Sequence, residues 1–295
     1  MTSLRAATRG SALARWQTDH VLSLLGGGQA VVVETMGDRN RDVPIHEIGG
    51  RGVFVKEVQA AVLDGRADIA VHSAKDLPSQ PTDGLVIGAF PERADPRDAL
   101  VGSTLAALAP GAVVATGSVR RKAQLAALRP DLTFAELRGN IDTRLGKAAG
   151  FDAIVVAVAA LSRLGHADRV DEILDPWTML PQVGQGALAV ECRAEDAKTL
   201  AALAAIDHVT TRQAVTAERA FLARLGGGCD LPVGALATYG EDAGVRLEAL
   251  MASLDGHIVL RAALTGDDPE AVGHEVAQSL LDDAGADELL LEWRS

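Results

Sequence analysis

Over its first 200 or so residues the chain alternates two hydrophobic periods. Short β-branched and alanine-rich runs at 30–34, 68–71, 85–89, 112–115 and 153–158 read as strands. Stretches of helical period lie between them: one at 11–25, with Ser11 as N-cap and a glycine triplet as stop, and one at 53–63, followed by Gly65. Such alternation predicts α/β units around mainly parallel sheets. After about residue 208 the pattern changes to a helix at 211–225, a glycine-rich loop and then strands of period two. Leu254-Asp255-Gly256-His257 stands between two of these strands as a hairpin turn, and a last helix follows Asp268-Pro269. This final third predicts a small α+β domain.

Two proline-containing stretches, PERADPRD at 91–98 and PQVGQG at 181–186, interrupt the alternation and read as crossings between lobes. The expected division is therefore a first lobe of residues 1–92 with 187–206, a second lobe of 93–186, and a C-terminal domain of 207–295. Two α/β lobes joined in this way leave a cleft for an enclosed ligand. In open α/β sheets ligands sit at the carboxyl ends of the strands, so the polar loops there are the place to seek chemistry.

Composition narrows the function classes. The apolar fraction of 48% and charged fraction of 23% are those of a globular protein, while 3% aromatic residues leave little for base stacking, so nucleic acid is not an expected partner. The longest apolar run, 153–161, falls far short of the roughly 20 residues that span a bilayer, and the arginine-bearing N-terminus lacks an apolar signal core. A cytoplasmic protein without a membrane partner is expected. Cys192 and Cys229 make neither a disulfide framework nor a metal-binding pair, and the histidines are scattered, so no metal is expected. The net charge of −12 is uneven: 14 acidic and 3 basic residues follow from Asp230 onward, leaving the first 229 residues near neutrality. An anion site belongs in that earlier part. Of 28 basic residues 23 are arginine, the side chain suited to bidentate recognition of carboxylates, although coding bias alone also produces such an excess.

Three groups of residues are candidates for chemistry. The segment ADIAVHSAKDLP at 67–78 runs an apolar strand directly into His72, Ser73, Lys75 and Asp76. By pattern alone this is a polar site or a solvated turn with a Lys75–Asp76 neighbour pair. Cys229 follows three glycines in LGGGCDLP, where it is either a small buried hydrophobe beside a helix end or a thiol left open to a bulky partner. The third group is arginines: Arg9 in ATRGS, Arg120 and Arg121 in TGSVRRK, Arg138 and Arg144 in LRGNIDTRL, and Arg163 in LSRLG. TGSVRR follows a strand and opens a helix capped by Ser118, which would gather free N–H groups and two guanidiniums around an anion. RGNIDTR places Arg138 ahead of a helix that Asp142 is expected to cap.

In these motifs the chain resembles the porphobilinogen deaminases. HSAKD matches their H-S-x-K-D pattern and GGCDLP their G-G-C-x-x-P, and the specific likeness extends from Arg5 to about Leu236. The resemblance implies two periplasmic-binding-protein-like lobes and a C-terminal domain. It implies a dipyrromethane cofactor joined to Cys229 by a thioether, with Ser73, Lys75, Asp76, Ser118, Arg120 and Arg121 around it. Asp76 is then the catalytic group, and Arg9, Ser11, Arg138, Arg144, Arg163 and Gln185 bind the substrate porphobilinogen. The reaction implied is deaminating head-to-tail condensation of four porphobilinogens and hydrolytic release of hydroxymethylbilane by a monomeric transferase. The loop at 41–52, RDVPIHEIGGRG, matches a cover over the cleft, with Arg51 where many members carry lysine. A carboxylate receptor is the competing class, but it needs neither Asp76 nor Cys229. A nucleotide-dependent enzyme using TGS or VGQG is weaker, since neither stretch has a phosphate-loop spacing.

Overall fold

The computed structural model describes residues 3–35, 55–227, 231–282 and 285–294. In chain order it begins with β1 (Leu4–Arg9), α1 (Ala12–Leu24), β2 (Gly28–Val33), α2 (Lys56–Leu63), β3 (Ile69–Ser73) and β4 (Leu85–Ala89). There follow β5 (Asp98–Val101), β6 (Val113–Ala115), α3 (Val119–Leu128), β7 (Thr133–Ala135), α4 (Ile141–Lys147), β8 (Ala153–Ala157), α5 (Val158–Arg163) and β9 (Glu172–Ile173). The chain closes with β10 (Leu188–Arg193), α6 (Ala197–Leu203), α7 (Val209–Arg224), β11 (Val233–Gly240), β12 (Gly244–Ala252), β13 (Val259–Gly266), α8 (Pro269–Asp282) and α9 (Ala286–Arg294). Two compact units result: Met1–Ala94 with Ala187–Arg212, and Asp95–Gly186 with Gln213–Ser295.

The first unit holds a five-stranded sheet in the order β2-β1-β3-β10-β4, and the second holds one in the order β7-β6-β8-β5-β9. Each has one strand opposed to the other four. β10 is antiparallel to both β3 and β4, and β5 to both β8 and β9, whereas β1–β2, β1–β3, β6–β7 and β6–β8 are parallel. Both opposed strands come directly after the proline-containing stretches. The sheets are therefore mainly parallel, as the alternation predicts, and the two interruptions in that alternation each introduce the reversed strand.

Central strands buried on both faces should read as unbroken apolar runs. β8 is such a strand, with all five residues buried. It ends one residue earlier than the pattern suggests, because Val158 already opens α5. The expected strands at 30–34, 68–71, 85–89 and 112–115 are β2, β3, β4 and β6. β1, β5, β7 and β9 are additional to the sequence reading.

The second unit also contains the antiparallel sheet β11-β12-β13. The hairpin at 254–257 joins β12 to β13, with Ser253 N–H donating to Ile258 O at 2.9 Å. Helices α7 and α8 pack with this sheet around Phe221, Leu247, Met251, Val276 and Leu280. Their close approach depends on Gly273, where a Cβ would fall 2.3 Å from Ala217 O. The single last helix expected after Pro269 is two helices, α8 and α9. Among the described residues no helix is long and apolar enough to cross a membrane.

Candidate active site

In the first unit, β3 delivers its polar motif to the carboxyl edge of the sheet. A 3-10 turn, Ala74–Asp76, follows the strand, with Ala74 and Leu77 buried at either side of the polar pair. Ala74 N–H donates to Ala187 O at 3.0 Å, tying the turn to the start of β10. Lys75 is half-buried and Asp76 is exposed. Among the described residues the Asp76 carboxylate has no hydrogen-bond or ion-pair partner. The parallel neighbour β1 ends at the same edge with Arg9, and Ser11 then caps α1 by accepting from Ala14 N–H at 3.3 Å. Buried Gln17 on α1 donates to Ser73 Oγ at 2.9 Å. Arg9, Ser11, Ser73, Lys75 and Asp76 thus share one end of one sheet.

His72 takes the opposite direction, as alternation along a strand requires. Its Nε2 lies 3.1 Å from Glu191 Oε2, both side chains being buried, although the angle is not that of a hydrogen bond. Gln59 Nε2 donates to both Glu191 oxygens, at 3.1 and 2.9 Å, and Thr82 Oγ1 donates to Gln59 Oε1. This buried network joins α2, β3 and β10 beneath the turn.

In the second unit Ser118 caps α3 as expected, its Oγ accepting from Arg121 N–H at 3.4 Å. The anion met by the following arginines within the chain is Asp98, the fully buried first residue of β5. Arg120 Nη2 donates to Asp98 Oδ2 at 2.8 Å, and Arg121 donates to Oδ1 through Nε at 3.1 Å and Nη2 at 2.8 Å. Gln185, also fully buried, donates to Asp98 Oδ1 at 2.8 Å and to Pro96 O at 2.7 Å. Arg120 and Arg121 also donate to Leu180 O and Val155 O. Burial by itself would raise the Asp98 carboxyl, but two adjoining guanidiniums and the hydrogen bonds from Arg121 and Gln185 outweigh it and hold the group below the usual range. Burial moves Arg120 the other way, downward, and pushes Arg163 on α5 down to about 10. Arg163 Nη2 donates to Gly186 O at 2.7 Å.

The helix after Arg138 is capped by Asn140, not Asp142. Asn140 Oδ1 accepts from Thr143 N–H at 2.8 Å, and Asp142 lies in the first turn, where its charge still suits the helix dipole. Asparagine one residue before the first helical position has the reach to N3, which Asp142 inside the helix lacks. Arg138 is exposed with Nε donating to Glu136 Oε1 at 2.9 Å, and Arg144 Nε donates to Gly139 O at 2.8 Å.

The arrangement around α3 suits a group bearing carboxylates. Among the described residues two arginines share one aspartate, leaving an excess of one positive charge, and the buried Arg120 Nε has no hydrogen-bond partner. Ser118 and Arg120 line a small pocket with Gln182, Val183, Leu222, Leu231 and Val233. Leu231 stands two residues beyond Cys229 in the sequence. Cys229 itself, Asp230, and the loop at 41–52 with Arg51 lie outside the described residues. Cys192 is a buried core residue of β10. Among the described residues no cluster of His, Cys, Asp or Glu is arranged to hold a metal ion.

Comparison with known sequences supplies the family. Residues 4–201 match the model for "porphobilinogen deaminase, dipyromethane cofactor binding domain" and residues 212–282 match the porphobilinogen deaminase C-terminal domain. The chain belongs to the porphobilinogen deaminase family. Porphobilinogen deaminase of Acidothermus cellulolyticus is 48% identical over 305 residues, covering 98% of this chain and 92% of that one. Porphobilinogen deaminase of Brevibacillus brevis is 46% identical over 300 residues, covering 98% and 97%. Among solved structures, a periplasmic binding protein of high arginine specificity from Salmonella typhimurium is 12% identical with a TM-score of 0.39, covering 70% of this chain and 92% of that one. That likeness adds nothing to the strand order described above.

Family membership makes the chain a transferase of tetrapyrrole biosynthesis whose cofactor is dipyrromethane. Four residues that pack against the candidate residues, or bond the backbone beside them, carry little signal of their own in the sequence: Gln17 and Glu191 in the first unit, Asp98 and Glu218 in the second. The fully buried Glu218 on α7 accepts from Gly184 N–H at 2.7 Å and from Ala237 N–H at 2.9 Å. Asp98 had one available signal, an acidic residue opening an apolar run immediately after a crossing.

Proposed function

We propose that this chain condenses four porphobilinogen molecules head to tail, with loss of ammonia, on a dipyrromethane primer held by Cys229, and releases hydroxymethylbilane by hydrolysis. The observation that carries this reading is Asp76, an exposed carboxylate without a described partner, held on a turn whose flanking residues are buried. A carboxylate so placed is available to substrate instead of being spent on the fold.

The primer, when bound, supplies a nucleophilic pyrrole α-carbon. Asp76 accepts the N–H of the incoming pyrrole, stabilises the cation that develops as ammonia leaves, and takes part in proton transfer from the new junction. Lys75, and Ser73 steadied by Gln17, bind the cofactor from the same segment. Arg9, Ser11, Arg138, Arg144 and Arg163 bind the acetate and propionate groups, of which a six-pyrrole chain carries about a dozen, each suited to paired arginine hydrogen bonds. Ser118, Arg120 and Arg121 hold the cofactor carboxylates. Gln185, buried against Asp98, serves the site through that aspartate. In this reading residues 1–92 with 187–206 carry the catalytic turn, 93–186 carry the arginines, and 207–295 carry Cys229. The enzyme acts as a cytoplasmic monomer with porphobilinogen as its small-molecule partner.

Intact mass under denaturing, reducing conditions tests the proposal. The chain is expected to exceed its sequence mass by two linked pyrrole units, and a Cys229→Ser chain to lack the excess. An unmodified mass that persists after incubation with porphobilinogen would remove the reading.

A further inference from the structure

We infer that Asp98 is a positioning residue for cofactor loading: it fixes Arg120 and Arg121 in the orientation that leaves their remaining donors for a carboxylate of the dipyrromethane. This rests on the proposal that those arginines hold the cofactor. Asp98 is fully buried and receives three guanidinium hydrogen bonds and one amide hydrogen bond. Buried charge must be matched, and here one acid serves two bases. Among the described residues the cluster therefore lacks one negative charge, and the buried Arg120 Nε has no hydrogen-bond partner. A ligand carboxylate supplies both. The pocket beside Arg120 and Ser118 is bounded by Leu222 and Leu231, which precede and follow the glycine-rich cysteine loop in the sequence.

Asp98 is itself held in place. Gln185 bridges it to Pro96 O, so one amide joins the two proline-containing crossings of the second unit. The residues on either side of Gln185 are fastened in turn, Gly184 N–H to Glu218 and Gly186 O to Arg163. Without the aspartate, two adjacent buried guanidiniums would repel each other and turn away from the shared direction.

The test measures primer loading on folded protein. Asp98→Asn chains, purified from the soluble fraction and shown by circular dichroism to be folded, are incubated with porphobilinogen and weighed intact. The fraction carrying the two-pyrrole mass is expected to fall at least about tenfold, the effect of losing one charge-assisted hydrogen bond or more. Turnover per loaded chain should change far less, since Asp98 touches no reacting atom. A purely structural role would lower the yield of folded chains and leave their loading intact, so normal loading of folded Asp98→Asn protein overturns the inference.

Arg120→Gln and Arg121→Gln chains separate this from the underlying reading. If they load normally, the arginine site itself fails; if they do not while Asp98→Asn does, only the role of Asp98 fails. Should Asp98→Asn not fold, the Asp98→Asn/Arg121→Gln double variant, which keeps the cluster's net charge, is compared with Arg121→Gln. Lower loading of the double variant supports the inference, and equal loading overturns it.

Discussion

Glu218 and Gly184 meet through a 2.7 Å hydrogen bond in which a fully buried carboxylate accepts the backbone N–H of the second crossing. The other oxygen of Glu218 accepts from Ala237 on β11 at 2.9 Å. One side chain of α7 thereby holds both the stretch that carries Gln185 and the first strand of the C-terminal sheet.

Glu218→Gln keeps the volume but replaces one acceptor with an amide that faces an N–H. The variant should lose about 1–3 kcal/mol, the cost of leaving a buried donor unsatisfied. A guanidinium chloride midpoint lowered at unchanged slope would bear this out. An unchanged midpoint would mean that water or a rearranged loop replaces the carboxylate.

Asp76→Asn separates catalysis from folding. Asp76 is exposed and takes no part in the hydrogen bonding that fixes its turn, so the substitution should leave stability within about 0.5 kcal/mol. A unit charge pair at about 4 Å is worth roughly 4 kcal/mol at an effective dielectric of 20. Loss of the carboxylate should accordingly slow turnover on the order of a thousandfold. The check is the rate per cofactor-bearing chain beside the thermal midpoint. Near-normal turnover would return Asp76 to an ordinary loop carboxylate.

A contact is legible in the sequence when its partners lie within one local pattern, and reach along the chain hides the rest. Ser11 and Ser118 were legible as caps because each bonds a backbone N–H three residues on, within one local pattern. The same local logic points to Asp142, but Asn140 is also in range and takes the cap. The direction of Arg120 and Arg121 was not legible, because their partner Asp98 lies 22 and 23 residues earlier, on a strand of only four residues. Glu218 reaches back 34 residues and Gln17 forward 56, contacts that no window of periodicity contains. β1 is not legible in the sequence because LRAATR alternates weakly, its two alanines and Thr8 being the buried residues. The two proline-containing stretches were recognised as breaks, while the reversal of the strands after them follows only from the pairing.

Gly256 at the tip of the β12–β13 hairpin lies directly against α3, the helix whose first turn carries Arg120 and Arg121. Its φ is +76°, and a Cβ there would stand 2.4 Å from Ala123 O and 2.7 Å from Ala127 N. Gly256→Ala should destabilise by more than the roughly 1–2 kcal/mol of a left-handed residue alone, because backbone must also shift. Gly256→Asn relieves the conformational part and not the contact. Both variants should therefore show lowered denaturation midpoints, with asparagine recovering little. Full recovery by asparagine would place the whole effect in the turn and none in the docking of the hairpin on the helix.

Cys192 should be silent towards thiol reagents until the chain unfolds. It is fully buried on β10, and burial, with Asp196 and Glu191 adding to it, pushes the thiol up to about 11. At pH 8 only about one thiol in a thousand is then ionised, and the thiolate is the reactive form. In a Cys229→Ser protein, native labelling should be absent and denatured labelling should reach one thiol per chain. The same shift sets a pH dependence. The unfolded thiol ionises from about pH 8.5 upward while the folded one stays protonated, so the unfolded state binds fewer protons there and stability falls as pH rises towards 11. Denaturation midpoints at pH 7.5 and pH 10 should diverge more for a chain with Cys192 than for Cys192→Ala. Rapid native labelling, or equal divergence in the two chains, would show that β10 opens far enough to expose the thiol.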